Sequence, residues 1–376
     1  MTLPAVSDNK SKADAVLCLP EFEALARPCL SEMVYAYISG GAADEITMRA
    51  NSEDWKAIRL CPRVLVDVSE ISLRTEIFGQ ALDSPVMLAP AAFHRLCHAE
   101  DGELATVQGA NAAGAAMVLS SFSTVSVEEV AAATRHPLWF QLYFQADRGL
   151  TQDMVRRAEA AGCKALCLTV DTAVLGARHR ESRTAFALPQ EFKLPNLNLG
   201  AVSHRPVRSA IYSELLNPAL NWKDIEWLSS VAKIPILLKG IINPQDAVRA
   251  LDTGVGGIIV SNHGARNLDT LPSTAEALPR IAEKINGRLP LLVDGGIRRG
   301  TDVLKALAMG AKAVLVGRPY LYALAYAGAE GVARTIEILR TELMMAMALT
   351  GRTSIAQIDR SVLWNHQENQ NQNHKP

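Results

Sequence analysis

The sequence has few cysteines, few aromatic residues and almost no net charge. Its 376 residues include six cysteines, aromatic residues make up 5%, and the formal net charge at pH 7 is −1. No Cys-x-x-Cys pair occurs and no histidine lies at zinc-finger spacing, so we expect reduced thiols and no metal site. The near-zero net charge gives no reason to expect nucleic acid or an anionic membrane as a partner. Any recognition of an anion must therefore be local.

Long apolar runs and targeting signals are also missing. No run of about 18 uncharged apolar residues occurs, which argues against a membrane-spanning helix. The polar stretch 1–12 lacks the apolar core of a signal peptide, and the sequence ends in His-Lys-Pro rather than in the peroxisomal Ser-Lys-Leu. We therefore expect a cytoplasmic protein.

What is present is a repeated alternation of short apolar runs with amphipathic helical stretches. The apolar runs are typical of parallel strands that are buried on both faces. Helix-start signals lie between them, among them a capping box at Ser126 and Glu129, Asn243-Pro244, and Thr301-Asp302 before residues 303–309. The predicted strands are residues 86–91, 116–120, 138–143, 165–171, 235–240, 257–262, 289–295 and 313–318.

Eight β-α units in succession predict an α/β protein, a (β/α)8 TIM barrel with an N-terminal helical extension. A doubly wound open sheet is the alternative, and it is disfavoured because no Gly-x-Gly-x-x-Gly follows the first strand. The extension, residues 1–85, is predicted to form helices around 21–38 and 44–55 and a short strand near 73–78. The barrel is assigned to residues 86–360, and the Gln/Asn-rich tail 361–376 is expected to be disordered.

Residues 191–221 interrupt the alternation between the fourth and fifth units. This stretch is rich in Pro, Asn and Leu and is longer than an ordinary connection. It is either an active-site lid or a surface excursion without function.

Polar side chains gather at the ends of six predicted strands. Active sites in TIM barrels lie at these carboxyl ends, and buried charges at such density need ligands or one another. The strand-end residues are Gln141, Tyr143, Thr169, Asp171, Lys239, His263, Arg266, Asp294, Arg298 and Arg318.

The last two strand ends predict a phosphate site. Residues 294–300 form a glycine-rich loop before a helix, and Gly317-Arg318 follows the eighth strand. Loops after the seventh and eighth strands often bind phosphate through backbone N–H groups and a helix N-terminus. Arg298 and Arg318 would add charge-assisted hydrogen bonds.

These segments resemble the FMN-dependent 2-hydroxy-acid dehydrogenase/oxidase family, which includes glycolate oxidase, lactate oxidase and mandelate dehydrogenase. The most specific are Ser261-Asn-His-Gly-Ala-Arg266 and Asp294-Gly-Gly-Ile-Arg-Arg-Gly300. Matching segments also surround Tyr37, Ala91, Gln141, Thr169, Lys239 and Gly317, so the resemblance covers nearly the whole chain before the tail.

The resemblance implies that His263 is the base that takes a proton from the substrate, with Asp171 orienting its imidazole. Whether the hydroxyl or the α-carbon proton is removed stays open. Arg178 and Arg266 would clamp the substrate carboxylate, since guanidinium groups bind carboxylates bidentately. The other substrate contacts implied are Tyr37 and Tyr143, with Phe122 and Leu175 as pocket walls, and Tyr212 as a weaker candidate for a lid residue.

The resemblance also implies an FMN site. Lys239 would stabilise negative charge on the reduced flavin, and Asp294 would bind the ribityl chain. The remaining cofactor-binding residues implied are Ala91, Ala92, Ser120, Gln141, Thr169, Ser261, Gly295, Gly296, Arg298, Gly317 and Arg318.

We therefore expect FMN-dependent oxidation of a small L-2-hydroxy acid, with lactate or glycolate favoured, to the 2-oxo acid, and reduction of O2 to hydrogen peroxide. We expect no nucleic-acid or membrane partner, and the resemblance implies a homo-oligomer, since proteins of the family commonly form tetramers. The nearest alternative is a dehydrogenase of the same family that passes electrons to a quinone or another acceptor and takes a mandelate-type substrate. A more distant one is an FMN-dependent isomerase or a phosphosugar-binding barrel.

Overall fold

The N-terminal region packs against both ends of the barrel rather than forming a separate layer. The computed structural model describes residues 11–197, 211–213 and 215–364. Pro28 lies in a short 3-10 helix that divides the first predicted helical region, and Ser31 caps the helix that follows. The elements before the barrel are α1 (Leu19–Ala26), α2 (Glu32–Ser39), α3 (Ile46–Ala57), β1 (Thr75–Ile77) and β2 (Gln80–Leu82).

Eight parallel strands close into a barrel, as the alternation predicted. The last strand pairs with the first, with Val314 opposite Val86. Every strand predicted from the sequence is present, with ends that differ by a few residues. The barrel strands are β3 (Val86–Leu88), β4 (Met117–Ser120), β5 (Leu138–Leu142), β6 (Leu166–Thr169), β7 (Ile236–Ile241), β8 (Gly257–Val260), β9 (Leu291–Val293) and β10 (Ala311–Val316).

Helices surround this barrel and bury its outer face. The capping boxes at Ser126 and the Asn243 cap form as predicted, and the helix predicted from 303 begins slightly earlier, at Gly300. The helices are α4 (Glu103–Ala112), α5 (Val127–Ala133), α6 (Arg148–Ala160), α7 (His179–Arg183), α8 (Trp222–Val231), α9 (Pro244–Ala250), α10 (Thr274–Ile285), α11 (Gly300–Ala308) and α12 (Arg318–Leu349). None of the helices in the described ranges is long and apolar enough to cross a membrane.

The amino end of the barrel is closed by a β-hairpin where the sequence predicted one short strand. Strands β1 and β2 pair through the two-residue turn Phe78-Gly79, in which both residues have positive φ. Two-residue hairpin turns of this kind usually have the sequence Asn-Gly or Asp-Gly, so Phe-Gly did not predict a hairpin. Ile77 and Leu82 pack into the barrel interior, and Trp139 Nε1 donates a hydrogen bond to Gln80.

The packed part of the chain continues past the predicted start of the tail. Val362 is buried, and Leu363 forms a β-bridge with Leu60. The expectation of disorder from residue 361 is therefore wrong for residues 361–364, because their backbone pairs with the extension: the Cys61 N–H donates to the Val362 carbonyl oxygen and the Trp364 N–H to that of Arg59. Residues 365–376 lie outside the described residues, as do 198–210 and 214 of the predicted lid.

Candidate active site

A cavity of about 340 Å³ opens at the carboxyl end of the barrel. Side chains that follow all eight strands line it, together with Tyr37 and Ile38 from α2. The catalytic, substrate-binding and cofactor-binding residues predicted from the sequence all lie on this wall except Asp171 and Ser261, which lie directly behind it. The lid candidate Tyr212 does not line it. The structure thus brings together residues that are more than 280 positions apart in the chain.

His263 and Asp171 form a hydrogen-bonded pair at the cavity. His263 Nδ1 lies 2.8 Å from Asp171 Oδ1, and Thr172 Oγ1 also approaches Nδ1, at 3.3 Å. Positive φ at His263, Gly264 and Ala265 turns the chain sharply after β8. This turn places the imidazole at the mouth, with Nδ1 held from behind.

Burial and opposite charge work against each other in this pair. Burial lowers the pKa of His263 below its usual value, although the nearby Asp171 carboxylate opposes the shift. Burial raises the pKa of Asp171, but the charges of His263 and Lys239 outweigh it, so that pKa lies below its usual range. A neutral imidazole beside an ionised carboxylate is the state that a general base requires.

Arg178 and Arg266 lie side by side on the wall and share an acidic partner. Arg266 donates to the carbonyl oxygens of Tyr37 and Gly40 at 2.6 and 3.0 Å and to Glu181 at 2.9 Å. Arg178 Nη1 lies 3.5 Å from the same Glu181 oxygen. Burial, with Arg178 nearby, lowers the pKa of Arg266 to about 10, so it stays charged at neutral pH.

Glu181 is a site residue that sequence reasoning missed. It lies on α7, three residues after Arg178, and its side chain is 14% exposed. Its spacing of three residues from Arg178 could have predicted an ion pair with this arginine on one face of a helix.

Aromatic side chains form another part of the wall, and one of them, Tyr37, lies under the Arg266 guanidinium, 5.0 Å from it. Tyr37 stacks on Phe186 with ring centroids 4.3 Å apart, and Phe122 stacks on Tyr143 at 5.0 Å. Phe93 lies between these pairs, 5.9 Å from Tyr37 and 6.2 Å from Phe122. Phe93 and Phe186 were not predicted, because scattered aromatic residues in a sequence more often belong to the core.

The predicted lid segment contributes to the wall only in part. Ser213, Leu215 and Leu216 line the cavity. Tyr212 is 42% exposed and is not among the lining residues. The proposed lid tyrosine is therefore outside the wall in this structure.

A chain of polar side chains runs along one edge of the cavity. Ser120 Oγ donates to Gln141 at 3.0 Å, and Gln141 Nε2 donates to Thr169 at 2.9 Å. Lys239 pairs with Asp294 at 2.8 Å and donates to Ser261 at 3.0 Å. Burial lowers the pKa of Lys239, but Asp294 and Asp171 outweigh burial and raise it.

This edge fits the polar face of a flavin and its ribityl chain. Asp294 Oδ1 is buried and has no hydrogen-bond partner among the described residues. A buried carboxylate oxygen without a donor is costly, and a ligand hydroxyl would satisfy it.

The phosphate end differs in one respect from the sequence-based expectation. The N-terminus of α11 is not open, because Asp302 accepts from the N–H groups of Arg298 and Arg299, and Glu342 accepts from that of Gly300. The beginning of α12, at Gly317 and Arg318, does lie on the cavity wall. Backbone recognition of a phosphate there would therefore rely on the beginning of α12 and on the loop at Gly295 and Gly296, and not on the N-terminus of α11.

Arg318 is held rigidly at this end. Its guanidinium donates to the carbonyl oxygens of Ile38, Gly264 and Gly40, each at 2.9 Å. Arg298 is also on the wall, and burial lowers the pKa of both arginines. Two partly buried cations at one end of the cavity make it a site for an anion.

A parallel barrel with a histidine base, an arginine pair and an anion-binding end is typical of enzymes that bind a phosphorylated cofactor and an anionic substrate. A sequence model of the family described as FMN-dependent dehydrogenase matches residues 26–365. The chain belongs to this family, and its cofactor is FMN.

Curated relatives and solved structures support the same assignment. The L-lactate oxidase of Nostoc sp. is 49% identical over 353 residues, covering 91% of this chain and 96% of the relative. Glycolate oxidase 3 of Oryza sativa subsp. indica is 45% identical, covering 91% and 94%. A mandelate oxidase structure with (S)-2-phenylpropionate has a TM-score of 0.85 at 38% identity, covering 93% of this chain and 98% of its own. The prediction of an FMN-dependent enzyme of the 2-hydroxy-acid oxidase type is confirmed.

Proposed function

We propose that this enzyme oxidises a short L-2-hydroxy acid, with lactate favoured over glycolate, to the 2-oxo acid and transfers the electrons to O2, which yields hydrogen peroxide. The observation that carries the proposal is that His263, held from behind by Asp171, lines the same cavity as the paired arginines. Relatives named for lactate and glycolate oxidation support this substrate class.

The arginines bind the substrate carboxylate and thereby fix the position of its α-carbon. Arg266 is anchored by two backbone carbonyls, and Arg178 Nε donates to the Arg266 carbonyl oxygen at 3.1 Å. These bonds hold both guanidinium groups in place before substrate arrives, which reduces the entropy lost on binding. Tyr37 and Tyr143 then offer hydroxyl groups to the carboxylate and the substrate hydroxyl.

His263 removes the substrate proton at Nε2, the ring nitrogen opposite the one that Asp171 holds. The Asp171 carboxylate stabilises the imidazolium that forms, so the proton stays on His263 during the transfer of two electrons. The substrate loses a second hydrogen together with the two electrons, and bound FMN would supply the two-electron acceptor for them before O2 is reduced to hydrogen peroxide. Lys239 supplies a fixed positive charge at the polar edge, where negative charge develops.

Ser120, Gln141, Thr169 and Ser261 orient the cofactor ring at this edge in our proposal, and the backbone at Ala91 and Ala92 faces it. Asp294 binds the ribityl hydroxyls. Arg298, Arg318 and the backbone at Gly295, Gly296 and Gly317 hold the phosphate. The test is the retention of FMN after substitution: Arg318→Ala should lose FMN on gel filtration, whereas His263→Ala should retain it.

An oxygen-electrode assay of the holoenzyme with L-lactate identifies the electron acceptor. We expect oxygen uptake, with about half the oxygen returned on addition of catalase. If L-lactate bleaches the flavin under anaerobic conditions but air restores the colour far more slowly, the enzyme is a dehydrogenase with another acceptor. If no 2-hydroxy acid bleaches the flavin, the proposal fails and an FMN-dependent isomerase becomes the better reading.

An aryl substrate is the second candidate. The stacked aromatic wall of Phe93, Phe122 and Tyr143 would accept a phenyl group, and the mandelate oxidase structures are similar to this chain. A comparison of kcat/KM for L-lactate and (S)-mandelate separates the two candidates.

We also propose a cytoplasmic homotetramer in which the extension 1–85 and the barrel 86–360 form one body. The hydrogen bonds from Arg266 and Arg318 to residues of the extension support the last point. Sedimentation velocity of the holoenzyme tests the oligomeric state.

A further inference from the structure

Asn267 lies just beyond Arg266, behind the cavity wall, and contacts the residues that hold His263 as well as Arg178 of the clamp. Its Nδ2 is 2.9 Å from the Asp171 carbonyl oxygen, 2.8 Å from Thr172 Oγ1 and 3.3 Å from Asp171 Oδ1. Its Oδ1 accepts a longer bond from Arg178 Nη2, at 3.5 Å. One amide group therefore connects the loop after β6 with the loop after β8.

The two loops are packed backbone to backbone at this point. A Cβ atom on Gly176 would lie 2.2 Å from the Asn267 carbonyl oxygen and 2.4 Å from that of Arg266. Arg178 Nε donates to the Arg266 carbonyl oxygen nearby. The Asn267 side chain thus has little freedom to leave its position between the loops.

The hydrogen-bond donors around the Asp171 carboxylate all approach the same oxygen, Oδ1. His263 Nδ1, Thr172 Oγ1 and Asn267 Nδ2 all approach it, whereas Oδ2 has no hydrogen-bond partner within the described ranges. Neutral donors to a carboxylate stabilise its charge and so weaken its hold on the imidazole proton. The other titratable groups that face the pair are Lys239, Arg178 and Tyr143.

We propose that Asn267 is a positioning residue that sets the basicity of His263 by donating to Asp171 and Thr172, and that orients Arg178 through the same amide. This inference rests on the proposed function, in which His263 is the base. Without Asn267, Asp171 relies more on His263 as its donor, and the imidazole holds its proton more strongly. The acid limb of kcat/KM then moves to higher pH.

The experiment compares Asn267→Ala and Asn267→Asp with the wild-type holoenzyme. Loss of one neutral hydrogen bond should move the acid midpoint upward by about half a pH unit. Asn267→Asp retains the shape of the side chain and adds a carboxylate beside Asp171, so the shift should be larger. Leu268→Ala is the matched control on the same loop, because Leu268 is 63% exposed; its midpoint should equal that of the wild type.

A second readout does not depend on turnover. The rate at which diethyl pyrocarbonate modifies His263, followed by peptide mass spectrometry, reports the neutral imidazole as a function of pH. Its midpoint should shift in parallel with that of kcat/KM. If kcat falls in Asn267→Ala while both midpoints stay at the wild-type pH, the proposal is overturned and Asn267 only supports the fold.

The same readout separates this inference from the proposed function. If none of the proteins oxidises a 2-hydroxy acid, the proposed function fails, and the modification midpoints still decide whether Asn267 tunes His263.

Asn267→Ala should also raise KM more than Leu268→Ala does, since Arg178 loses a partner. An unchanged KM would remove Arg178 from the proposal.

Discussion

The two ends of the barrel are built from the same eight strands and have opposite chemistry. At the amino end, the hairpin of β1 and β2 closes over Trp139, Ile259 and Leu292, which are fully buried. At the carboxyl end, the strands finish in side chains such as Lys239 and Asp294, buried as an ion pair. Apolar burial at the first end stabilises the fold, and this stability allows costly buried charges at the second.

The difference predicts that substitutions at the two ends fail in different assays. Changes at the carboxyl end should reduce turnover and leave the protein folded. Changes at the amino end should reduce stability and leave the turnover of the folded enzyme nearly unchanged.

The largest expected effect is that of His263→Ala. A positioned general base contributes a factor of about 10²–10⁴, so flavin reduction by L-lactate in stopped flow should slow by this amount. The visible flavin spectrum and the thermal midpoint should resemble those of the wild type. Loss of FMN from this variant would mean that His263 has a structural role.

Trp139→Ala tests the opposite end. Truncation of a large buried aromatic side chain should lower the free energy of unfolding by about 3–5 kcal/mol, measured by urea denaturation. Trp364→Ala is the control, because Trp364 is 44% exposed and should lose much less. A large fall in kcat for folded Trp139→Ala would show that the two ends are coupled.

Arg266→Lys should weaken the clamp and retain its charge. Lysine cannot reproduce the planar set of donors that reaches Tyr37, Gly40 and Glu181. We expect a loss of about 2 kcal/mol, or about 30-fold in kcat/KM. The same substitution at exposed Arg135 should have no effect, and equal losses at both positions would contradict a specific clamp.

Phe122→Ala should change the choice of substrate more than the rate of the chemistry. Opening the aromatic wall should shift the ratio of kcat/KM for (S)-mandelate over L-lactate by about 1–3 kcal/mol toward the larger acid. Leu175→Ala should shift the ratio less, because Leu175 is already 51% exposed. An unchanged ratio for Phe122→Ala would remove this residue from the substrate wall.

The smallest expected effect is the position of the acid limb in the wild type. Burial lowers the pKa of His263, so kcat/KM should fall, as the pH decreases, at a midpoint below the usual histidine value of about 6.5. Asp171 opposes this shift, so Asp171→Asn should move the midpoint lower still while reducing the rate. A midpoint above the ordinary value would show that Asp171 outweighs burial.

The local features of the fold were predictable because they depend on neighbouring residues. Strand positions followed from continuous apolar runs, and the Ser126 and Asn243 caps from their spacing. The hairpin turn at Phe78-Gly79 was missed because Phe-Gly is not a typical turn sequence, and Phe78 instead packs against Trp139. The order of residues 361–364 was missed for a similar reason, since their partners lie about 300 residues earlier in the chain.

The site was predictable where one motif carried both the residue and its role. His263 with Arg266, and Asp294 with Arg298, each lie within a short specific segment. Phe93 carries no local signal, because it meets Tyr37 and Phe122 only after the loops pack. Glu181 and Asn267 also reach most of their partners only in the fold, and the one local signal among them was the spacing of Glu181 from Arg178. The sequence also could not predict that the N-terminus of α11 is closed. Glu342, which accepts the hydrogen bond from the Gly300 N–H, belongs to a helix distant in sequence.

The sequence by itself determined the barrel, the family, the cofactor and most of the residues around the cavity, because strand periodicity and short motifs are local properties. Only the tertiary structure decided which of these residues form ion pairs and hydrogen bonds with one another. Glu181 lies between two arginines, and Asn267 lies between the base and the clamp, because loops distant in sequence meet at the carboxyl end of a closed barrel. Hydrogen bonding and burial depend on these meetings, and they set the protonation states on which the chemistry depends.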